Sequence, residues 1–158
     1  MAELQSLIPE LKAIYNKSSA KPKVTYHEGM DGIKEVYGDM LNDQKEILAY
    51  EDLEHMKKTM PRSFYNYFPA ERARRRIPFK SISRNSVIAE EFTKNNLQLL
   101  RETKLIKSAD FKTEINIYGS KVALMSFTTQ PAFCVLIEDE NIANTLRVAW
   151  NELWKRLN

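Results

Sequence analysis

Residues 113–127, TEINIYGSKVALMSF, decide the fold, because they have the pattern of two β-strands joined by a tight turn. Side chains alternate between the two faces of a strand. Lys112, Glu114 and Asn116 therefore share one face of the first strand, and its two isoleucines occupy the other. The function depends on whether this polar face carries catalytic groups or only the outline of a binding site.

The segments on either side of this hairpin alternate between strand and helix patterns. Strands are predicted at 23–28, 46–52, 77–83, 100–107 and 132–139. Helices are predicted at 29–41, 62–76, 86–97 and 140–158, and residues 53–60 are predicted to be a polar connection. Strands and helices alternate in the first half and strands cluster in the second. This order predicts an α/β fold with a mixed sheet flanked by helices.

The composition is that of one folded domain. The chain has 158 residues, of which 43% are hydrophobic and 28% charged. No window approaches the roughly 18 consecutive apolar residues of a membrane-spanning helix, and the N-terminus lacks the pattern of a signal peptide. We therefore expect a cytoplasmic protein without membrane contact. The single cysteine, Cys134, lies in an apolar run and is expected to be a buried hydrophobic residue.

The N-terminal segment has apolar residues at helical spacing, namely Leu4, Leu7, Leu11 and Ile14. This spacing predicts a short helix that forms a dimer, and packing against the core is the alternative. Pro22 favours extended geometry in the residue before it, where the first strand is about to begin. The predicted organisation is a linker or dimerisation helix at 1–17 and a single domain at 22–158.

Metal-site and phosphate-loop motifs are absent from the sequence. A zinc site needs four Cys, His or carboxylate ligands, and one cysteine with His27 and His55 does not supply the usual spacing. The four glycines are scattered singly, whereas a phosphate-binding loop needs them clustered. We expect no metal and no cofactor.

A basic cluster lies at residues 71–84, ERARRRIPFKSISR. Arginine pairs bidentately with phosphate and carboxylate, so this cluster is a candidate surface for an anion or a nucleic acid. The residues that would carry it are Arg72, Arg74, Arg75 and Arg76. The alternative is the solvated last turn of a helix, where cations complement the helix dipole.

Several stretches, taken in order, resemble a known family. They are KPKVTYHEGMDGIKEVYGDML (21–41), KEILAYED (45–52), RARRRIPFKSIS (72–83), LLRETKLI (99–106), the 113–127 hairpin and RVAWNELW (147–154). In this order they are similar to the C-terminal effector or sensor domain of TrmB-like transcriptional regulators, a domain that resembles phospholipase D in fold. The resemblance covers about the whole chain. It implies a phospholipase D-like sensor domain preceded by a linker helix.

The resemblance also identifies where catalytic residues would lie. Active phospholipase D-like enzymes carry a His-x-Lys pair on the strand before this turn and an Asp at the turn; the histidine attacks phosphorus and the lysine stabilises the phosphate charge. The corresponding positions fall near Lys112, Glu114 and Gly119, and none has the required residue type. No histidine follows His55. We therefore predict that the chain is not an enzyme.

The function implied is a non-catalytic, effector-sensing and dimerisation domain of a TrmB-like regulator. Glu114 and Asn116 are the candidate residues for the effector pocket, with Arg101 as a charge partner; a solvated strand edge is the alternative for each of them. The expected partners are a second copy of the chain and a small-molecule effector.

Regulators of this family bind DNA through a winged helix-turn-helix domain that precedes the sensor domain. The residues before 22 are too few to form such a unit. We therefore expect DNA binding only through a helix-turn-helix domain that is not present in this chain. Two other functions remain open. One is a hydrolase on the same scaffold that uses carboxylates, and the other is a nucleic-acid-binding module that uses the arginine cluster.

Overall fold

The computed structural model describes residues 21–94, 96–107 and 111–157 of the chain. The predicted linker helix at 1–17, with its candidate dimerisation residues, lies outside the described residues. That part of the predicted organisation stays a prediction.

The described part of the chain forms one mixed sheet of seven strands. The strands are β1 (Lys23–Glu28), β2 (Ile47–Glu51), β3 (Phe79–Arg84), β4 (Arg101–Ile106), β5 (Glu114–Tyr118), β6 (Lys121–Ser126) and β7 (Phe133–Glu138). Their order across the sheet is β1-β7-β6-β5-β2-β3-β4. Strands β2, β3 and β4 run parallel to one another, and all other neighbours pair antiparallel. The predicted mixed sheet is confirmed.

Five helices lie in the described residues: α1 (Gly29–Asp43), α2 (Leu53–Thr59), α3 (Arg62–Arg74), α4 (Val87–Thr93) and α5 (Glu140–Arg156). The side chains of Asp52, Ser86 and Asp139 begin α2, α4 and α5, since each accepts a hydrogen bond from the backbone N–H three residues on. In the described ranges no helix combines the length and the apolar character needed to cross a lipid bilayer.

Strands β5 and β6 form the hairpin predicted for residues 113–127, with Tyr118 opposite Lys121 next to the turn. Gly119 in this turn has a φ of +49°, and a Cβ there would lie 3.1 Å from Oδ1 of Asp43. The turn therefore requires glycine. Lys121 Nζ donates to both carboxylate oxygens of Asp39, at 2.9 and 2.8 Å, which fastens the hairpin to α1.

The sheet separates two hydrophobic clusters. Helices α1 and α3 pack on one face, where Tyr37 and Phe68 are buried together with Cys134, the cysteine expected to be a buried hydrophobic residue. Helix α5 packs on the other face, where Trp150 is fully buried and donates from Nε1 to the carbonyl of Ala49 at 3.0 Å. The strand alternation predicted for β5 is confirmed, because Glu114 and Asn116 are buried on the α1 side while the isoleucines pack with α5.

Residues 53–60 were predicted to be a polar connection, and that prediction is wrong. They contain helix α2, which buries Leu53 and Met56 and begins at the Asp52 cap. Two apolar residues in seven are too few to show a helical period in the sequence. The helix forms because those two side chains dock into the core, not because of its own propensity.

Candidate functional site

The candidate residues Arg101, Glu114 and Asn116 are all buried beneath the helices of the α1 face. Arg101 begins β4 and Glu114 begins β5, strands that two others separate in the sheet. The side chains of Arg101 and Glu114 nevertheless line the same cavity, which we call the inner cavity; Asn116 does not line it but hydrogen-bonds to Glu114. The solvated strand edge considered for these residues does not occur.

The inner cavity has a volume of about 30 Å³. Aromatic rings form much of its wall, from Tyr37, Tyr65, Phe68, Phe79 and Phe92. Four charged side chains also line it, namely Glu51, Arg72, Arg101 and Glu114. A cavity needs roughly 10–15 Å³ of such volume to hold one water molecule. The inner cavity therefore has room for one small polar group of one or two heavy atoms, not for a sugar ring.

Glu114 is the polar centre of the inner cavity. Its Oε1 accepts hydrogen bonds from the Tyr37 hydroxyl and from Nδ2 of Asn116, both at 2.8 Å. Its Oε2 and the Oδ1 of Asn116 are buried and have no hydrogen-bond partner within the described ranges. Burial raises the pKa of Glu114 to about 7, and the charge of Glu51 adds to this rise. Two buried oxygen acceptors thus have no donor in the part of the chain that the structure describes.

Arg101 pairs with Glu51 and not with Glu114, which differs from the pairing that the sequence suggested. Its Nη2 donates to the Glu51 carboxylate and, at 3.0 Å, to Ser81 Oγ. The guanidinium carbon lies over the rings of Phe79 and Phe92, at 4.9 and 4.8 Å from their centroids. These two ring contacts and the ion pair with Glu51 restrain the position of the arginine.

Several residues of the inner cavity were not identified from the sequence, among them Glu51 and Tyr65. Glu51 ends β2 and is 2% exposed, and Tyr65 lies on α3 with a buried hydroxyl that has no partner in the described residues. Burial raises the pKa of Tyr65. A carboxylate at the last position of an otherwise apolar strand was the available signal for Glu51. The sequence contains no such signal for Tyr65, because the apolar side of its predicted helix indicated only packing in the core.

The arginine cluster does not form one solvated surface. Arg72 is 1% exposed, and its guanidinium donates to the carbonyls of Ile77, Leu99 and Leu100 at 2.5, 2.5 and 3.3 Å. Burial lowers the pKa of Arg72 to about 10. Arg72 therefore holds the loops before β3 and β4, and its guanidinium is not available to a nucleic acid at the surface.

The remaining arginines of the cluster lie nearer the surface. Arg74 and Arg75 both donate from Nε to the carboxylate of Glu71 at 2.7 Å. Arg76 is exposed and follows the helix with a φ of +60°. The cluster therefore exposes less positive charge than its number of arginines suggests, because the Glu71 carboxylate accepts hydrogen bonds from both Arg74 and Arg75.

The three positions where the family resemblance would place catalytic residues lie in different surroundings. Gly119 is in the hairpin turn, Lys112 is exposed, and Glu114 is in the inner cavity. Neither histidine lines the inner cavity: Nδ1 of His55 lies 2.5 Å from Asp52, and that of His27 lies 3.5 Å from Glu35. Within the described ranges, no group of three or more His, Cys, Asp or Glu side chains is placed to hold a metal ion.

Comparison with known proteins identifies the fold but no family. No protein-family model matches the sequence, and no curated protein matches it either. Solved structures with the same fold include TrmBL2, an archaeal chromatin protein, with a TM-score of 0.59 and 15% identity. That match covers 99% of this chain, and the chain spans 61% of the length of TrmBL2.

Two further structures match over most of their length. NucT from Helicobacter pylori has a TM-score of 0.60 and 9% identity, over 87% of this chain and 98% of its own. Nuc from Salmonella typhimurium, a phospholipase D family member, has a TM-score of 0.61 and 12% identity, over 87% of this chain and 97% of its own.

These neighbours contradict the prediction that the chain is not an enzyme, because the fold is also that of phospholipase D family members. The prediction depended on the residue types at Lys112, Glu114 and Gly119. Those positions test only the mechanism in which a histidine attacks phosphorus. The structure adds a second buried carboxylate, Glu51, to the cavity that Glu114 lines. The fold itself agrees with the resemblance seen in the sequence. The chain therefore has a phospholipase D-like α/β fold, which it shares with TrmBL2 and with Nuc.

Proposed function

We propose that this domain binds a small polar effector at the inner cavity and acts as the effector-binding part of a TrmB-like transcriptional regulator. The observation that carries the proposal is Oε2 of Glu114, a buried oxygen of a cavity-lining residue that has no donor among the described residues; Oδ1 of the adjacent Asn116, which hydrogen-bonds to Glu114 through Nδ2, is a second such oxygen. A buried polar atom without a partner costs roughly 1–3 kcal/mol, so a site that retains two of them suits a ligand that supplies the donors.

The size of the inner cavity limits how the effector binds. A space of about 30 Å³ accepts one hydroxyl or ammonium group, and the rest of the molecule has to lie outside it. The ion pair between Arg101 and Glu51 and the rings around it give the cavity a fixed wall. Specificity then comes from the one group that enters, because a site built to hydrogen-bond such a group rejects analogues that lack it.

Calorimetric titration of the chain with small polyols, mono- and disaccharides and amino alcohols tests this proposal. We expect at least one hydroxylated compound to bind wild type, and Glu114→Gln to weaken it by about tenfold through loss of a charge-assisted hydrogen bond. Glu102→Gln, on an exposed glutamate of β4, is the matched control and leaves binding unchanged. Binding that is equally strong in wild type and Glu114→Gln would refute the assignment of the site.

Transmission of the signal is the second part of the proposal. An effector biases the arrangement of two copies only if it binds one arrangement more tightly than the other. We assign the contact between copies to the segment with Leu4, Leu7, Leu11 and Ile14, and contact with DNA to a helix-turn-helix domain attached to it. Light scattering of the chain with and without residues 1–17 tests the assembly: a monomer in both cases excludes this route.

Acid–base hydrolysis in the same cavity is a second candidate function. Two carboxylates line the cavity, and a pKa of about 7 lets Glu114 carry a proton at neutral pH, as a general acid must. A screen of glycosides, esters and phosphodiesters tests it. Turnover that is lost in both Glu114→Gln and Glu51→Gln, and kept in Glu102→Gln, would place hydrolysis ahead of effector binding.

A further inference from the structure

A surface depression adjoins the inner cavity. Two lobes of about 340 and 410 Å³ share Lys57, Tyr65 and Asn66, and we call them together the outer groove. The smaller lobe shares Phe92 with the inner cavity, and the larger lobe shares Met60 with it. Tyr65 lines all three spaces. The outer groove and the inner cavity are therefore adjacent, and Tyr65 is the residue common to all three linings.

The larger lobe is positively charged. Its lining consists of Lys57, Met60, Arg62, Tyr65 and Asn66, with no acidic residue. Lys57 and Arg62 are exposed, and neither forms an ion pair with another described residue. The one acidic residue of the outer groove, Glu91, lines only the smaller lobe. Two cations without partners and a side-chain amide beside a concave surface are suited to an anionic group.

The boundary between the two spaces is an aromatic pair. The rings of Tyr65 and Phe92 meet edge to face, with centroids 5.5 Å apart and an angle of 87° between the planes. The Tyr65 hydroxyl is buried and has no partner among the described residues. A molecule that reaches from the outer groove into the inner cavity passes this hydroxyl and gives it a hydrogen-bond partner.

We propose that the effector is a small anionic hydroxylated compound: its phosphate or carboxylate binds Lys57 and Arg62 in the outer groove, and one hydroxyl enters the inner cavity past Tyr65. The placement of the hydroxyl in the inner cavity rests on the function proposed above. The placement of the anionic group in the outer groove does not, because it depends on the two cations and on the shape of the groove. The inner cavity needs a donor because Oε2 of Glu114, which lines it, has none among the described residues, and the groove needs an anion because its donors are cationic.

Calorimetry with four probes at low ionic strength tests the inference: inorganic phosphate, a glycerol monophosphate, glycerate and glycerol. We expect a glycerol monophosphate or glycerate to bind wild type at least about tenfold more tightly than glycerol, the effect of one charge-assisted contact. Whichever of the two binds more tightly identifies the anion as a phosphate or a carboxylate. The double variant Lys57→Ala/Arg62→Ala is expected to lower the affinity for the anionic probes by about tenfold or more. Lys58→Ala removes an exposed lysine of α2 that does not line the groove, and it is expected to have no effect.

The outcomes separate the two proposals. The anion subsite is refuted if the anionic probes bind the double variant as tightly as wild type, or if they bind neither protein at millimolar concentration. Hydroxyl binding at Glu114 is then still decided by its own test. If inorganic phosphate binds and depends on Lys57 and Arg62, but Glu114→Gln changes the affinity for none of the probes, the anion subsite holds and the function proposed for the inner cavity fails. All three lysine and arginine side chains are exposed, so thermal unfolding of these variants is expected to match wild type and checks that they are folded.

Discussion

Glu51 and Glu114 stand opposite each other on neighbouring strands in the buried face of the sheet, and among the described residues only Glu51 forms an ion pair with an arginine. The β2–β5 register pairs Tyr50 with Ile115, so the two carboxylates follow one residue beyond that pair. Like charges in this position destabilise a sheet. Arg101 offsets part of the charge of Glu51. Burial and the remaining repulsion from Glu51 raise the pKa of Glu114.

The stability of the protein is expected to fall between about pH 5 and pH 8 because of Glu114. Its folded-state pKa of about 7 exceeds the ordinary 4.5, so the folded protein binds a proton more tightly than the unfolded chain. Stability from this group is complete below the unfolded pKa and is lost as the pH rises through 7, by up to about 3 kcal/mol.

Urea unfolding of wild type, Glu114→Gln and Glu102→Gln at a series of pH values measures this effect. Glu114→Gln is expected to flatten the fall in the free energy of unfolding above pH 5, and Glu102→Gln to retain it. A wild-type profile that is flat or rises from pH 5 to pH 8 would show that the Glu114 carboxyl does not carry the predicted penalty.

Removal of Arg101 is expected to be costly because it leaves Glu51 buried without its partner. Arg101→Met should lower the free energy of unfolding by about 3 kcal/mol or more, as loss of one member of a buried ion pair does. The double variant Arg101→Met/Glu51→Met should regain much of the loss. Arg74→Met, which breaks an exposed contact with Glu71, should change little. Equal stability of Arg101→Met and wild type would contradict the role of the pair.

Two tyrosines of the inner cavity are expected to respond differently to loss of the hydroxyl. Tyr37→Phe removes a donor to Glu114 at 2.8 Å and should destabilise the protein by roughly 1–3 kcal/mol. Tyr65→Phe removes a hydroxyl without a partner and should leave the stability equal to or above that of wild type, while ligand binding weakens. Chemical unfolding combined with titration separates the two effects. A larger loss of stability in Tyr65→Phe than in Tyr37→Phe would reverse this assignment.

Arg72 and Arg76 provide a test of the arginine cluster. Arg72→Met leaves three buried or half-buried carbonyls without their donor and should destabilise the fold by about 3 kcal/mol, whereas Arg76→Ala at the surface should not. Binding to labelled duplex and single strands at low salt tests nucleic-acid recognition in Arg76→Ala and wild type. Measurable binding that is lost in Arg76→Ala would support a nucleic-acid-binding role.

Much of the architecture could be predicted from the sequence, because β5 alternates polar and apolar residues, β6 and β7 are short apolar runs bounded by turns, and helix α5 has a clear period of 3.6 residues. Helix α2 could not, since it is held by the burial of Leu53 and Met56 rather than by a pattern of its own. Short elements that depend on tertiary contacts leave a weak signal in the sequence.

Only the part of the site that depends on local sequence pattern could be predicted. Glu114 and Asn116 follow from alternation within one strand, so local pattern was sufficient to place them. The pairing of Arg101 with Glu51 joins residues 50 positions apart, and it depends on the strand order, which no local pattern contains. Arg72 was predicted to lie at the surface, either in an anion-binding cluster or in a solvated helix turn, because a run of arginines does not show which one faces the core.

Helix α2 also places two neighbouring side chains in different environments: Met56 lines the inner cavity, where its sulfur lies 3.7 Å from the Tyr37 hydroxyl, and Lys57 lines the outer groove. A helix of seven residues has little stability of its own. An occupant that displaces Met56 would therefore loosen the whole helix, and amide hydrogen exchange across residues 53–59 would register occupancy of the cavity even without a direct contact to those amides.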